Sequence, residues 1–265
     1  TSARDSFRKW HIERGLYTEL AARQLVDEII HDASTETGNH KFSQNFLLAE
    51  WEQVVDAWQL ETWEDYRDVA RLGRKTRLPE TQRQTLWSIF EIVREELRRR
   101  NLVTQAEQFS ALANSIGKKS AVIYDYAVVD EAQDISVSHL KFFAALGKDR
   151  PNALFFAGDL GQRIFQQPFS WKSLGIDIRG RSRTLRVNYR TSHQIRIQAD
   201  RLLGPVVTDV DGNSEERNKT ISVFNGVPPL IDGSDDEAAE VDAVGQWLAE
   251  VAENGVVPHE FGVFV

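Results

Sequence analysis

Three segments carry residue types suited to phosphate chemistry. The first, Val128-Val129-Asp130-Glu131-Ala132-Gln133-Asp134, sets adjacent carboxylates directly after an apolar run. Such a pair suits a division of labour: one carboxylate holds Mg²⁺, mostly through its water shell, while the next polarises an attacking water beside a terminal phosphate. The second segment, Phe155-Phe156-Ala157-Gly158-Asp159-Leu160-Gly161-Gln162-Arg163-Ile164-Phe165, again runs from an apolar stretch into polar groups. The Gln162 amide both donates and accepts, so it can sense a γ-phosphate and its water without adding charge. In the third, Leu185-Arg186-Val187-Asn188-Tyr189-Arg190-Thr191, Arg190 offers a planar, permanently charged fork to a phosphate. Taken singly, each has a plainer reading. An Asp-Glu pair after a strand is common, and Arg190 also fits a buried pairing with a carboxylate.

The elements that must position these residues follow from hydrophobic period. From Ser6 to about Ser115 the pattern is helical: Leu16, Leu20, Ala21, Val26, Ile29 and Ile30 recur at helix spacing, as do Phe46, Leu47, Glu50, Trp51, Val54, Val55 and Trp58, and then Leu86, Ile89, Phe90, Val93 and Leu97. Breaks are expected at Thr37-Gly38-Asn39, Gly73, Leu78-Pro79-Glu80 and Ile116-Gly117-Lys118. The period then changes. Ala121 to Val129 and Ala153 to Ala157 read as strands ended by acidic residues, with a helix from Ser138 to Leu146 between them. Further strands are expected at Thr184 to Val187, Thr220 to Phe224 and Phe261 to Val265, with helices at Ser192 to Leu203 and Asp235 to Glu253. Strands alternating with helices imply parallel strands joined by crossovers, whose functional groups gather at the strands' carboxyl ends. Asp130 and Asp159 occupy those ends.

Composition bounds the function classes. The 265 residues include 40 Asp+Glu and 32 Lys+Arg, a formal charge of −8. No Cys is present, which removes disulfides, zinc knuckles and thiol nucleophiles. The six His residues never pair at ligand spacing, which argues against a transition-metal site. No apolar run approaches the ~20 residues of a membrane span, so no membrane partner is expected. The charged start, Thr1 to Trp10, is no signal peptide, and a soluble, cytoplasmic protein is expected. Met is absent even at position 1, which fits an excised piece, a recoded sequence, or one that has lost residues. Residues 205–265 carry 13 acidic and 2 basic side chains, so the acidity is concentrated there. Arg71 to Arg100 has 9 basic and 4 acidic residues, and Arg179 to Arg201 has 7 Arg and one Asp. Such stripes fit a nucleic-acid groove or, equally, a solvated helix face. The Trp residues at 51, 58, 63 and 87 read as core of the helical block, and Trp10 and Trp247 invite the same reading.

Together and in this order, the three segments resemble motifs II, III and IV of the superfamily 1A helicases, the UvrD/Rep/PcrA group. The combination of DEAQD, GDLGQ and NYR is specific where each alone is not. The resemblance implies an α/β fold: a RecA-like parallel sheet of the P-loop NTPase type with an inserted all-helical subdomain. Residues 1–118 would be that subdomain, 119–182 the C-terminal half of the first RecA-like domain, and 183–265 the start of the second. It implies ATP and Mg²⁺ as cofactors, with Asp130 as the Mg²⁺ carboxylate beside Glu131, the general base. Gln162 would couple γ-phosphate state to movement, Arg190 would be an arginine finger, and Gln133 and Asp134 would join motif II to motif III. An aromatic after motif III stacks on bases in this family. Phe165 matches the usual Tyr, but Trp171-Lys172 stands apart from the usual Trp-Arg pair. Trp171 is the first candidate stacker and Phe169 the second, with Lys172 beside them, and a core Trp under the sheet is the open alternative.

The implied activity is ATP-dependent 3′ to 5′ translocation on single-stranded DNA with unwinding of duplex DNA, in repair or replication. Single-stranded and duplex DNA and other repair proteins are the implied partners, near a bacterial nucleoid. The sequence departs from the family in lacking G-x-x-x-x-G-K-[ST]; the nearest stretch, Gly117-Lys118-Lys119-Ser120, precedes a strand instead of following one. Motifs V and VI are missing as well. The chain is therefore expected to be an internal helicase fragment, inactive alone and prone to self-association through exposed sheet edges. The alternative is a non-hydrolysing DNA- or protein-binding module. No nuclease carboxylate cluster is visible.

Overall fold

The computed structural model describes residues 19–38, 40–69, 78–118, 124–159, 162, 168–204 and 206–264. Its contacts divide the chain into two compact units, Thr1–Thr184 with Pro205–Arg217, and Leu185–Gly204 with Asn218–Val265.

The first unit opens with a helical block. Strand β1 (Glu19–Leu20) leads into α1 (Arg23–Thr37), which stops at Gly38, whose φ of 58° is costly for a residue with a side chain. Ser43 caps α2 (Gln44–Glu50) by accepting from the Phe46 N–H at 3.3 Å. A π-helical turn, Trp51–Val55, carries α2 into the short α3 (Asp56–Trp58). Thr62 and Asp65 form a capping box on α4 (Trp63–Asp68), and Pro79 precedes α5 (Glu80–Arg99). Strand β2 (Leu102–Val103) pairs in parallel with β1, and α6 spans Gln105–Lys118. The expected all-helical block thus contains one small strand pair. Helix α6 also continues to Lys118, through the expected break at Gly117, because one Gly costs a helix only about 1 kcal/mol. The readings at Trp10, Leu16 and Gly73, the Arg71–Arg77 part of the basic stripe, and Lys119-Ser120 lie outside the described residues.

The block is held by Val26, Ile29, Ile30, Leu47, Trp51, Val55, Tyr66, Leu86, Ile89, Phe90, Val93 and Leu97, all buried. Trp51 and Trp87 belong to this core, with Trp58 and Trp63 packed at its margin; Trp247, in contrast, is exposed. The fully buried Tyr66 hydroxyl donates to fully buried Glu50 Oε1 at 2.9 Å. Asp56 accepts from Thr104 Oγ1 at 2.6 Å and from Gln59 Nε2 at 2.9 Å. Burial nevertheless pushes its carboxyl up to about 6 from 3.8. The folded chain therefore holds this proton more tightly than the unfolded one, so the contribution of this one group to stability is greatest below pH ~4 and is lost as pH rises through ~6. Thermal melts should show Asp56→Asn gaining on the unsubstituted chain across that window, by on the order of 2–3 kcal/mol; parallel pH curves would contradict it.

The rest of the first unit is α/β. Strand β3 (Ala127–Val129) and strand β4 (Leu154–Phe156) pair in parallel, Val128 opposite Phe155, across the crossover helix α7 (Val137–Gly147). β3 is shorter than the run from Ala121 suggested: residues 124–126 are not strand, and Ala121–Ile123 lie outside the described residues. Ser136 starts α7 by accepting from the His139 N–H at 3.3 Å. Beneath the pair, Ile135, Val137, Leu140, Phe169, Trp171 and Ile176 form a second core. Trp58 reaches this core edge-on to Phe169, ring centres 6.5 Å apart, and so joins it to the helical block.

In the second unit, β5 (Val187–Asn188) precedes α8 (His193–Leu203), which Ser192 caps. Strands β6 (Val206–Thr208) and β7 (Ser214–Glu216) form an antiparallel hairpin that packs with the first unit. Strand β8 (Ile221–Ser222) pairs in parallel with β5, and α9 spans Glu237–Glu253 behind an Asp236 cap. The expected strand at the end is absent at 261–264, where a 3₁₀ turn, Pro258–Glu260, runs into irregular chain; Val265 lies outside the described residues. An apolar run needs a paired neighbour to become a strand, and none is present here among the described residues. The molecule is thus a mixed α/β protein with small parallel strand pairs; among the described residues these pairs do not extend into one wide sheet. No helix of the described residues is long and apolar enough to cross a membrane.

Candidate functional site

The first unit gathers its carboxylates where β3 and β4 end. Asp130 and Glu131 follow β3 directly and are exposed, with the Glu131 N–H donating to Asp130 Oδ1 at 2.9 Å. Glu131 holds a left-handed backbone, φ 51° and ψ 44°, uncommon for a residue with a side chain. This twist sharply turns the chain into the 3₁₀ turn Ala132–Asp134 and leaves Ala132 and Gln133 buried beneath it.

Gln133 bridges the two strand ends. Its Nε2 donates to Glu131 Oε2 at 2.6 Å, and its Oε1 accepts from the Asp159 N–H at 3.0 Å. Backbone bonds run alongside: Ala157 N–H to Val129 O and Ala132 N–H to Ala157 O, both 2.8 Å. Gly158 makes the approach possible, since a Cβ there would lie 2.7 Å from Gln133 Oε1 and 3.0 Å from the Ala132 nitrogen. The join between the two acidic loops therefore runs through Gln133, while Asp134 stands exposed.

Gln162 is tied to the same cluster. Its Nε2 donates to Asp159 Oδ2 at 2.9 Å, and its backbone N–H to Asp159 O at 3.1 Å. The other Asp159 oxygen accepts from Arg217 at 3.1 Å. Asp130, Glu131, Gln133, Asp159 and Gln162 thus form one connected group at the carboxyl ends of two parallel strands. Sequence reasoning missed Arg217 and the β6–β7 hairpin that delivers it. The hairpin left only half a signal: Asp211-Gly212 follows the mostly β-branched run Val206 to Val210, but Ser214–Glu216 after it has no strand character in its sequence.

Trp171 and Phe169 are buried, and the Trp171 ring lies edge-on to Phe156 with centres 4.9 Å apart. Of the two readings of Trp171, core or base-stacker, this packing matches the core one. Phe165 lies outside the described residues. Lys172 is exposed and begins the 3₁₀ turn Lys172–Leu174. That turn is held by Asp211, which accepts from Ser170 Oγ at 2.5 Å, from the Trp171 N–H at 2.7 Å and from the Lys172 N–H at 3.1 Å. Burial works against the Asp211 charge, but these three donors outweigh it and lower its pKa.

Arg190 belongs to the second unit. Asn188 Oδ1 accepts from the N–H groups of Arg190 and Thr191 at 2.9 and 3.0 Å, a turn that leaves the Arg190 side chain exposed. The basic stripes are partly neutralised. Arg99 and Arg100 both pair with Glu96, Arg179 with Asp177 and Arg196 with Asp200. Arg94 and Arg98 line a cleft of about 570 Å³ in the first unit, together with Lys141 and the acidic Glu61 and Glu107. Burial lowers the pKa of both Arg94 and Lys141 there.

A magnesium ion that keeps most of its waters needs only one or two protein carboxylates. The residues fit that demand, because Asp130 is exposed and uses one oxygen, Oδ1, in the hydrogen bond to the Glu131 N–H. Among the described residues no group of three or more His, Asp or Glu is gathered at ligand distance.

No curated protein matches the chain. The family model for the UvrD/REP helicase N-terminal domain, however, matches residues 4–171, a span that includes the helical block and both acidic loops. With that span covering more than half of the sequence, the chain belongs to the UvrD/REP helicase family.

Proposed function

We propose that the full-length protein is an ATP-dependent DNA helicase that moves 3′ to 5′ on single-stranded DNA and separates duplex DNA, in repair or replication. The observation that supports it most is the bonded group Glu131–Gln133–Asp159–Gln162, which places a general-base candidate and a phosphate-sensing amide on one rigid frame. Asp130 and Glu131 would hold Mg²⁺, which when bound supplies charge neutralisation at the phosphates. Glu131 takes the proton of the attacking water, and its hydrogen bond from Gln133 keeps the carboxylate aimed. Gln162, held by Asp159, reads whether a γ-phosphate is present. Arg190, on the second unit, would offer its fixed positive charge as an arginine finger.

In this reading β3–β4 is part of the first RecA-like sheet and β5–β8 part of the second. Residues 1–118 form the inserted helical subdomain, 119–182 the rest of the first domain and 183–265 the opening of the second, although hairpin 205–217 packs with the first unit. Base stacking falls to Phe165, in place of buried Trp171 and Phe169, with Lys172 contacting the backbone. Arg94 and Arg98 are further candidates for DNA phosphates, in a cleft whose lining also holds Lys141 and the opposing charges of Glu61 and Glu107.

Strand displacement from duplexes with a 3′ or a 5′ single-stranded tail tests the proposal in the full-length protein. Unwinding in the presence of ATP is expected from the 3′ tail only. Unwinding from the 5′ tail alone would reverse the polarity. DNA binding without unwinding or ATP turnover would instead favour a non-hydrolysing module, the reading to which the missing G-x-x-x-x-G-K-[ST] points for these 265 residues.

A further inference from the structure

Arg217 lies 58 residues after Asp159 in sequence and outside the span that matches the family, yet its guanidinium reaches Asp159 Oδ1 at 3.1 Å. The pair is mostly shielded, with side-chain exposures of 17% and 31%. The contact depends on the β6–β7 hairpin. The chain leaves the second unit after Gly204, makes this hairpin within the first unit, and rejoins the second at Asn218, so Arg217 is the last residue of the excursion. The hairpin is built to be stiff: Asp209 accepts from the Asn213 N–H and Nδ2, both at 2.8 Å, and closes the loop. Its tip is fastened separately, through Asp211, to Ser170, Trp171 and Lys172. Two anchors therefore grip the motif III segment, one on Asp159 and the other on residues 170–172.

The electrostatics assign the first anchor a role. One oxygen of Asp159 accepts from Arg217 and the other from Gln162 Nε2. A carboxylate held by one fixed charge cannot rotate freely, so its second oxygen stays where the Gln162 amide finds it. An amide that spends one N–H on Asp159 keeps its other N–H and its carbonyl for a phosphate and a water. We infer that Arg217 is a positioning residue of the nucleotide site: through Asp159 it orients Gln162, so that discrimination between ATP and ADP depends on a hairpin that departs from the second unit. This inference rests on the proposed ATPase and adds a residue to it. The magnitude is taken by analogy with metal sites, where partners that orient a ligand from behind matter by about 10- to 100-fold.

The test compares the full-length protein with Arg217→Ala, Arg217→Lys, Asp211→Ala and Glu131→Gln, measuring single-stranded-DNA-stimulated kcat, KM for ATP, melting temperature, and the affinity ratio for a non-hydrolysable ATP analogue over ADP. Arg217→Ala should lower kcat and the ATP-over-ADP ratio about tenfold with an unchanged ADP affinity, and Arg217→Lys should recover most of both. Asp211→Ala loosens the hairpin tip without touching Asp159, and should change the ratio far less. If Glu131→Gln abolishes turnover while Arg217→Ala keeps the normal ratio and kcat, the positioning role is wrong and the ATPase reading stands. If Arg217→Ala and Asp211→Ala lose activity equally, with equal drops in melting temperature and no recovery in Arg217→Lys, Arg217 is a structural staple only and the inference is overturned. If the unsubstituted protein hydrolyses no ATP, the ATPase reading fails first and takes this inference with it.

Discussion

Glu131→Gln should reduce DNA-stimulated ATP turnover by about 10²- to 10⁴-fold, the range expected when a general base loses its ability to take a proton. The substitution is nearly isosteric, so the reason for the loss is chemical. Gln133 Nε2 donates to Glu131 Oε2 at 2.6 Å; the carbonyl of the introduced amide can accept the same bond, and the bridge to Asp159 through Gln133 survives. Affinity for ATP should therefore fall far less than kcat, with Asp130 still present for Mg²⁺, and steady-state kinetics with a nucleotide-binding titration separates the two. The backbone supports the choice of residue. Glu131 sits in a left-handed conformation that costs a non-glycine residue about 1–3 kcal/mol, and such strain persists where the surroundings over-determine it. A drop in kcat shared by a conservative change at exposed Asp134 would instead indicate a general disturbance of the turn.

The largest effect on stability should come from Phe90→Ala. Phe90 is fully buried in α5, with its ring 5.7 Å from that of Trp51 and edge-on to Tyr66 at 6.1 Å. Truncating it removes contacts to two other rings and leaves a cavity beside the π-helical turn, α4 and α5 that rigid aromatic neighbours cannot fill. A loss of about 3–5 kcal/mol follows, or a fall of roughly 10 °C in the melting temperature of the first unit. Thermal or urea unfolding checks it. A variant within about 1 kcal/mol of the unsubstituted chain would mean that the helical block is not a cooperative core.

The parts legible in the sequence share a cause. Val128-Val129-Asp130 and Phe155-Phe156 are readable as strands because short runs of β-branched and aromatic residues there end in charge or glycine. The helix between them is readable because Ser136 and the apolar face of Val137 to Leu146 are local signals. Helix α9 likewise begins one residue after Asp236, its cap. What stays hidden depends on partners distant in sequence. Phe261 to Phe264 has strand composition but no strand neighbour among the described residues, so composition alone misleads. The π-helical turn at Trp51–Val55 has no sequence period of its own, and the small β1–β2 pair joins Glu19 to Leu102, far apart in the chain. In the site, Asp130, Glu131 and Gln162 are legible as residue types in a pattern, and Gln133 as a residue joining two motifs. Trp171 carries two readings that only its packing against Phe156 separates. Arg217 is invisible for the same reason as β1–β2: an ion pair across 58 residues leaves no local trace.

The measurement that bears most directly on the central claim is ATP hydrolysis by the full-length protein with and without single-stranded DNA. Turnover should rise at least several-fold when DNA is added. DNA that binds without any ATP turnover would contradict it and make the acidic loops around Asp130 and Asp159 a structural inheritance in place of a working site.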